Sequence, residues 1–239
     1  YLTLSDSERP GTAGTGECAT LPDLSCDAMP DRQYEQKLRT FCDGFCRTGR
    51  IDTDAMRPYP SMLFGLETAK AQLEAKGSIN FFNTPFGRGE EGITINGLVW
   101  MGTFDEMYRR LEEKLRTGFR CVKLKIGAID FEKELDLIRH IRQSFTRKQV
   151  ELRVDANGGF TPEEALQRLE QLVQYGIHSI EQPIRQHQWT EMARLCASSP
   201  LPIALDEELI GVNNPMEKTR LLDTIRPQYI VLKPSLHGG

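Results

Sequence analysis

From residue 93 onward, short apolar and β-branched runs alternate with helical stretches at a nearly constant interval. The runs begin near Ile95, Cys121, Glu151, His178, Pro202 and Tyr229, spaced by 26, 30, 27, 24 and 27 residues. Parallel strands cannot be joined by a tight turn; each needs a crossover, usually a helix, before the next begins. The spacing therefore predicts successive parallel β/α units. Helix-start signals fall where that pattern needs them. Thr103 with Glu106, Thr161-Pro162 with Glu164, and Asn214-Pro215 with Glu217 each place a capping residue three positions before a Glu. Gly118 and Gly176 stop two of the helices.

An open doubly wound sheet and a closed (β/α) barrel both fit this alternation, and the pleat separates them. Successive strand side chains point to opposite faces. Val122, Leu124 and Ile126 share one side, and Lys123 and Lys125 the other. Leu152 and Val154 oppose Glu151, Arg153 and Asp155; Ile180 opposes Ser179 and Glu181; Ile230 and Leu232 oppose Val231 and Lys233. A parallel sheet covered by helices on both sides is apolar on both faces. One apolar and one charged face suits an α/β, TIM-type barrel with its charged side in the lumen. A complete barrel needs eight strands and about 250 residues. The 147 residues from 93 to 239 supply about six strand units, so the expected barrel is incomplete and the chain is expected to be a piece of a longer protein. Tyr1 in place of Met and the closing Gly238-Gly239 agree with that expectation.

Residues 1–92 follow another pattern. The first thirty hold turn residues and short strand-like pieces, with a strand entered at Gly16-Glu17-Cys18-Ala19. Gly11, Gly14 and Gly16 are spaced GxxGxG rather than GxGxxG, so they read as a mobile loop and not as a phosphate cradle. A helix is expected over 31–48, with Tyr34, Leu38, Phe41 and Phe45 on one face and Gly49 after it. A second is expected over about 61–76, with Leu66, Ala69 and Leu73 aligned. Residues 78–92 carry Gly, Asn and Pro and read as a connection.

Composition narrows the function classes. A net charge of −4 leaves no basic field for a phosphate backbone, which argues against nucleic acid. No uncharged apolar stretch approaches the roughly 18 residues that span a bilayer. The six cysteines, Cys18, Cys26, Cys42, Cys46, Cys121 and Cys196, form no CxxC pair. They read as reduced thiols in a cytoplasmic protein, with Cys42 and Cys46 poorly spaced for zinc. Nothing in the sequence specifies an oligomeric state.

The charged residues gather at strand ends. Lys125 ends the second predicted strand, Asp155 the third, Glu181 the fourth, Asp206 the fifth and Lys233 the sixth. In a closed barrel these C-terminal ends converge on one mouth, where barrel active sites lie. Three carboxylates at close range raise one another's pKa unless a cation cancels the charge. All-oxygen ligation favours a hard divalent ion, Mg²⁺ before Mn²⁺. A lysine beside such an ion has a defined use: it can remove a proton next to a substrate carboxylate while the ion stabilises the developing charge. Lys123, Arg153 and Lys233 are placed to tune Lys125 for that task.

The remaining polar residues read more plainly. Glu207 divides between a supporting and a surface role. His140 is read as a surface helix residue and His178 as structural, while His187 and His237 follow strand ends and could face the mouth. Trp100 and Trp189 are read as packing residues.

Lys123-Leu124-Lys125 resembles the KxK motif of the enolase superfamily, muconate-lactonizing subgroup. Asp155-Ala156-Asn157, Glu181-Gln182-Pro183 and Asp206-Glu207 resemble its three metal-ligand motifs, and Lys233-Pro234 resembles its second lysine. Further stretches, 16–22, 95–102 and 231–235, resemble the branch that dehydrates a hydroxylated cyclohexadiene carboxylate. The resemblance implies an α+β capping domain over 1–92, lacking its first strands, and a barrel domain over 93–239, lacking its last ones. It implies Mg²⁺ held by Asp155, Glu181 and Asp206, with Lys125 as base and then acid. Lys233 would stabilise the enolate, largely by a cation–π contact. Lys123, Arg153, Asn157 and Ser235 would support the site or touch a small carboxylate substrate. The same lysine pair also suits racemisation of N-acylamino acids or epimerisation of dipeptides, and the motifs alone leave that alternative open.

Overall fold

The computed structural model describes residues 1–127 and 130–238. The elements run β1 (Leu2–Ser5), β2 (Ala13–Gly16), α1 (Asp31–Thr48), α2 (Thr53–Met56), α3 (Pro60–Glu74), β3 (Gly97–Val99), α4 (Phe104–Arg116), β4 (Cys121–Lys125) and α5 (Phe131–Ser144). They continue through β5 (Glu151–Asp155), α6 (Pro162–Val173), β6 (Ile180–Glu181), α7 (Trp189–Ser198), β7 (Ile203–Leu205), α8 (Pro215–Ile225), β8 (Tyr229–Ile230) and α9 (Pro234–His237). A single 3-10 turn, Glu207–Leu209, follows β7. Contacts divide the chain into two compact units, the first Tyr1–Ile93 with Leu209–Lys218 and Leu232–Gly239, the second Thr94–Glu208 with Thr219–Val231.

In the first unit, β1 and β2 pair antiparallel, Leu2 opposite Gly16 and Leu4 opposite Gly14. Leu2 and Leu4 point inward to a core of Met56, Met62, Leu63, Leu66 and Ala69. The α1 face predicted from spacing, Tyr34, Leu38, Phe41 and Phe45, packs on that core. Gly49 ends α1 with φ 66°, its N–H donating to the Phe45 carbonyl. The strand lies three residues earlier than the expected entry at Gly16, and the glycines are not a loose loop. A Cβ on Gly14 would stand 1.9 Å from the Ala69 carbonyl oxygen, and one on Gly16 1.7 Å from that of Gly65. Only glycines let β2 lie directly on the backbone of α3. Only Gly11 serves as a turn glycine, at φ 86°.

In the second unit, six strands form one parallel sheet in the order β3-β4-β5-β6-β7-β8, each beside its neighbour in sequence. Sequential parallel order with a helix between strands is the arrangement of a TIM-type barrel, here a partial one. Capping proceeds as the residues predict. The Thr103 N–H donates to Glu106 Oε2 at 2.8 Å, and the Thr161 N–H to Glu164 Oε1 at 2.9 Å. Asn214 Oδ1 accepts the Met216 N–H at 2.9 Å.

The pleat sorts residues as expected along β4, β5 and β6. Val122, Leu124, Leu152, Val154 and Ile180 are buried toward the helices. The sixth strand departs from expectation. It closes at Ile230, and Ile230 and Leu232 are exposed rather than packed under helices, because β8 is an edge of the sheet. Lys233 is not on a strand; it caps α9. No helix among the described residues is long and apolar enough to cross a membrane.

Candidate active site

Register brings the predicted charges of the second unit together. In β4 and β5, Lys123 stands opposite Arg153 and Lys125 opposite Asp155; in β5 and β6, Asp155 stands opposite Glu181. Asp206 follows β7. All three carboxylates are buried, as is Lys125.

The lysines reach the carboxylates directly. Lys125 Nζ donates to Asp155 Oδ2 and to Asn157 Oδ1, each at 2.6 Å. Lys123 Nζ bridges Glu181 Oε2 at 2.8 Å and Asp155 Oδ2 at 3.1 Å. Burial alone would raise the Asp155 pKa, but the Lys125 hydrogen bond and the charges of both lysines hold it below the ordinary value. Glu181 goes the other way. Burial first, and then the Asp155 charge, push it up to about 7, more than Lys123 offsets. Asp206 adds a smaller push in the same direction. Lys123 itself is held above the ordinary lysine value; burial opposes this, but Glu181 and Asp155 outweigh it. The site thus carries more negative charge than its lysines neutralise.

The loops after the strands fix this arrangement. Asn157 takes φ 45° and donates its N–H to Asp155 Oδ1 at 3.1 Å and its side-chain amide to Glu207 Oε1 at 2.8 Å. Gln182 takes φ 40° and is fully buried. Its Oε1 accepts the N–H groups of Asp206 at 3.1 Å and Glu208 at 3.2 Å, and its Nε2 donates to Glu208 Oε2 at 3.2 Å. Two non-glycine residues at positive φ beside the carboxylates are a local strain that only a surrounding network sustains.

Other predicted residues fall elsewhere. Arg153 pairs with Glu151 at 2.7 Å, both on the lumen side and half-exposed, so its guanidinium is engaged below the Asp155 level. Lys233 and Ser235 belong to the first unit. His237 is buried in that unit, and its carbonyl accepts from Lys218 Nζ at 3.1 Å. His140 is exposed on α5, its ring 4.8 Å from that of Tyr108. His178 contacts Ser179 and the Tyr229 ring. His187 is held through its backbone, at φ 69°, by Glu208 Oε1. Among the described residues, no group of three or more His, Cys, Asp and Glu stands close enough to hold a metal ion as placed. Lys123 instead links Asp155 and Glu181.

Spacing missed three contributors. Gln182 lies inside the Glu181-Gln182-Pro183 motif and Glu208 directly follows Asp206-Glu207, but nothing local in the sequence marks their hydrogen-bonding role. Trp100 was read as packing, yet it is 54% exposed and its ring centroid lies 5.4 Å from Lys125 Nζ. The pleat could have found it, since residue 100 continues the side of β3 that Leu98 shares with Lys123.

The second unit is thus a partial parallel barrel with lysines and buried carboxylates gathered at consecutive strand ends. The chain belongs to the enolase C-terminal domain-like family, whose model matches residues 106–239. It is 54% identical over 196 residues to o-succinylbenzoate synthase of Desulfotalea psychrophila, covering 82% of this chain and 52% of that protein. The chain therefore spans about half the length of that relative. The crystal structure of MenC from the same organism superposes with a TM-score of 0.82 at 42% identity, over 99% of this chain and 73% of that one. An o-succinylbenzoate synthase from Thermosynechococcus elongatus, solved with Mg in its active site, shares the fold at a TM-score of 0.75 and 23% identity, over 99% of this chain and 68% of that one.

Proposed function

We propose that the protein carrying this chain dehydrates 2-succinyl-6-hydroxy-2,4-cyclohexadiene-1-carboxylate to 2-succinylbenzoate, a hydro-lyase reaction of menaquinone biosynthesis in the cytoplasm. The observation that carries this reading is Lys125, its Nζ buried beside Asp155 and Asn157 at the mouth of the strands, in a chain 54% identical to a synthase of that name.

Lys125 takes the proton from the ring carbon that bears the carboxylate. The electron pair left behind moves into the carboxylate, then returns to expel the hydroxyl from the neighbouring carbon. Lys125 returns its proton to that hydroxyl, so water leaves and the ring becomes aromatic. Lys233 stabilises the anionic intermediate. Asn157 orients Lys125, while Lys123 and Arg153 add positive charge around the lumen, and Ser235 contacts substrate. Asp155, Glu181 and Asp206 would hold Mg²⁺ (or Mn²⁺), whose charge stabilises the carboxylate as it gains electrons. Their all-oxygen donor set and the Glu181 carboxyl, pushed up to about 7 by burial and negative neighbours, fit such a hard cation. Lys123 must then give up one of its two carboxylate contacts.

The test is loss of the cyclohexadiene chromophore by ultraviolet absorbance with the full-length protein, in Mg²⁺ and then in EDTA. Rapid loss that EDTA abolishes is expected. No loss from folded, Mg²⁺-loaded protein overturns the reading. Racemisation of an N-succinylamino acid or epimerisation of a dipeptide by the same preparation would then assign the lysine pair to that chemistry.

A further inference from the structure

We infer that Trp100 is a specificity-determining wall of the site, presenting its indole to a planar, unsaturated ring held against Lys125. This rests on the proposed role of Lys125 and goes beyond it by assigning what selects the substrate.

Three observations meet at this residue. The first is register. Gly97, Leu98 and Val99 of β3 stand opposite Val122, Lys123 and Leu124 of β4, so the next residue, Trp100, comes level with Lys125 at the strand ends. The pleat agrees: Val99 is fully buried among apolar side chains, and Trp100 alternates to the opposite side.

The second is exposure. A tryptophan is the largest apolar side chain, and burying it is worth more than burying any other. Here it remains 54% exposed while its ring centroid lies 5.4 Å from the Lys125 ammonium. β3 is an edge of the sheet, as β8 is, so part of this exposure belongs to the edge; what singles Trp100 out is that the ammonium proposed to take the proton lies over its ring.

The third is anchoring. Arg110, on the second turn of α4, donates through Nη1 to the carbonyls of Trp100 and Met101, each at 2.9 Å. The segment that presents the indole is thus tied at its backbone, which limits the motion of a side chain that packing does not hold.

A substrate whose acidic carbon comes within reach of Lys125 Nζ must pass alongside this ring. Aromatic faces prefer partner rings offset or edge-on at centroid separations of about 4.5–7 Å. The Lys125 ammonium lies over the indole at cation–π distance, 5.4 Å from the centroid, so a ring brought to that ammonium stands beside the indole rather than between the two. An aliphatic N-acylamino acid offers no such face, so the indole favours a cyclohexadiene or benzene carboxylate over it.

The test uses the full-length protein with Mg²⁺ and four variants. Trp189 is the other tryptophan of this chain; it lies on α7 beside Arg220, so Trp189→Phe, with Phe also placed at any tryptophan outside this chain, leaves Trp100 as the sole tryptophan. In that variant, 2-succinylbenzoate is expected to quench or shift the emission, and N-succinylvaline to do so at least fivefold less at equal occupancy. Trp100→Leu is expected to raise KM for the cyclohexadiene about five- to tenfold with kcat within about twofold, and Trp100→Phe to restore KM. A purely structural role would lower folded protein or kcat and would not be rescued by Phe alone. Trp100→Tyr keeps the ring if Leu fails to fold. Unchanged KM in Leu, or equal quenching by both ligands, overturns the inference. If no cyclohexadiene turnover is seen, the dehydration reading fails separately. The quenching comparison still decides for or against Trp100.

Discussion

Lys125 and Asp155 are register partners on adjacent parallel strands, and their side chains meet at 2.6 Å. Thirty residues of sequence separate them, with all of α5 between. The base proposed for the reaction is therefore positioned by sheet register rather than by any loop. Replacing Lys125 by Ala is expected to lower kcat for dehydration by about 10²–10⁴-fold, the usual range for loss of a general base. Exchange of the substrate's α-proton with deuterium, followed by NMR, should vanish with it. Exchange that persists would show that another group takes the proton.

Glu181 sets a pH dependence of stability. Its folded-state value, about 7, lies above the ordinary value of 4.5. Between these values the folded state keeps a proton that the unfolded state has released. Its contribution is therefore fully present below about 4.5 and is lost as pH rises toward about 7. Asp155 acts oppositely, since its depressed value means stability lost only as pH falls below the ordinary 3.8. Urea midpoints measured in EDTA from pH 4.5 to 8 should fall with pH, and Glu181→Gln should flatten that slope.

Divalent metal should reverse the trend. A cation taken up by Asp155, Glu181 and Asp206 binds their ionised forms and so releases protons. Mg²⁺ at a hundred times its Kd at pH 8 should add about 2.7 kcal/mol of stability there, and the same Mg²⁺ concentration should shift the melting temperature less at pH 5.5. Calorimetric titration in two buffers of different ionisation enthalpy reads the proton release directly. No dependence on buffer, or no shift in melting temperature, would remove the metal assignment.

Glu208 holds the backbone that carries Asp206. Its carboxylate is fully buried and accepts from Gln182 Nε2 and the His187 N–H. Glu208→Ala should cost about 1–3 kcal/mol through the donors it leaves unpaired. It should also weaken Mg²⁺ binding about 10- to 100-fold, because Gln182 fixes the Asp206 N–H. Glu208→Gln keeps one acceptor and should recover part of both losses.

Gly16 carries a different burden. Its missing Cβ lets β2 rest on the Gly65 carbonyl. Gly16→Ala should destabilise the first unit by about 1–3 kcal/mol or more, since backbone must move to make room. Gly11→Ala serves as a comparison, where nothing lies within 4 Å and only the φ of 86° resists.

Much of this was legible in the sequence because it is periodic. A strand start every 24 to 30 residues, an apolar residue alternating with a charged one, and a cap three before a Glu are local rules. They sufficed for the parallel units, the buried face of α1 and the lumen side of Lys123, Lys125, Asp155 and Glu181. The glycines of β2 misled the same reasoning, because a close approach between a strand and a helix fifty residues later leaves no local trace. Trp100 misled it for a related reason: hydrophobicity predicts burial, and only the neighbours present at a strand end decide whether a ring finds any. Arg153 was placed on the correct side of its strand, yet its partner is Glu151 two residues away, a choice set by how deep in the lumen it stands.

For β4, β5 and β6 the sequence by itself determined which residue types stand at the strand ends, since backbone alternation leaves a pleated strand no other choice. Tertiary structure alone decided which charges touch. Lys123 bridges Asp155 and Glu181, Lys125 takes Asp155 and Asn157, and Gln182 and Glu208 hold Asp206, because side-chain reach and burial depend on the register between strands far apart in the chain. Register is a property of the assembled sheet, in which buried apolar faces lock strands to one alignment and each lysine then meets the carboxylate that this alignment presents.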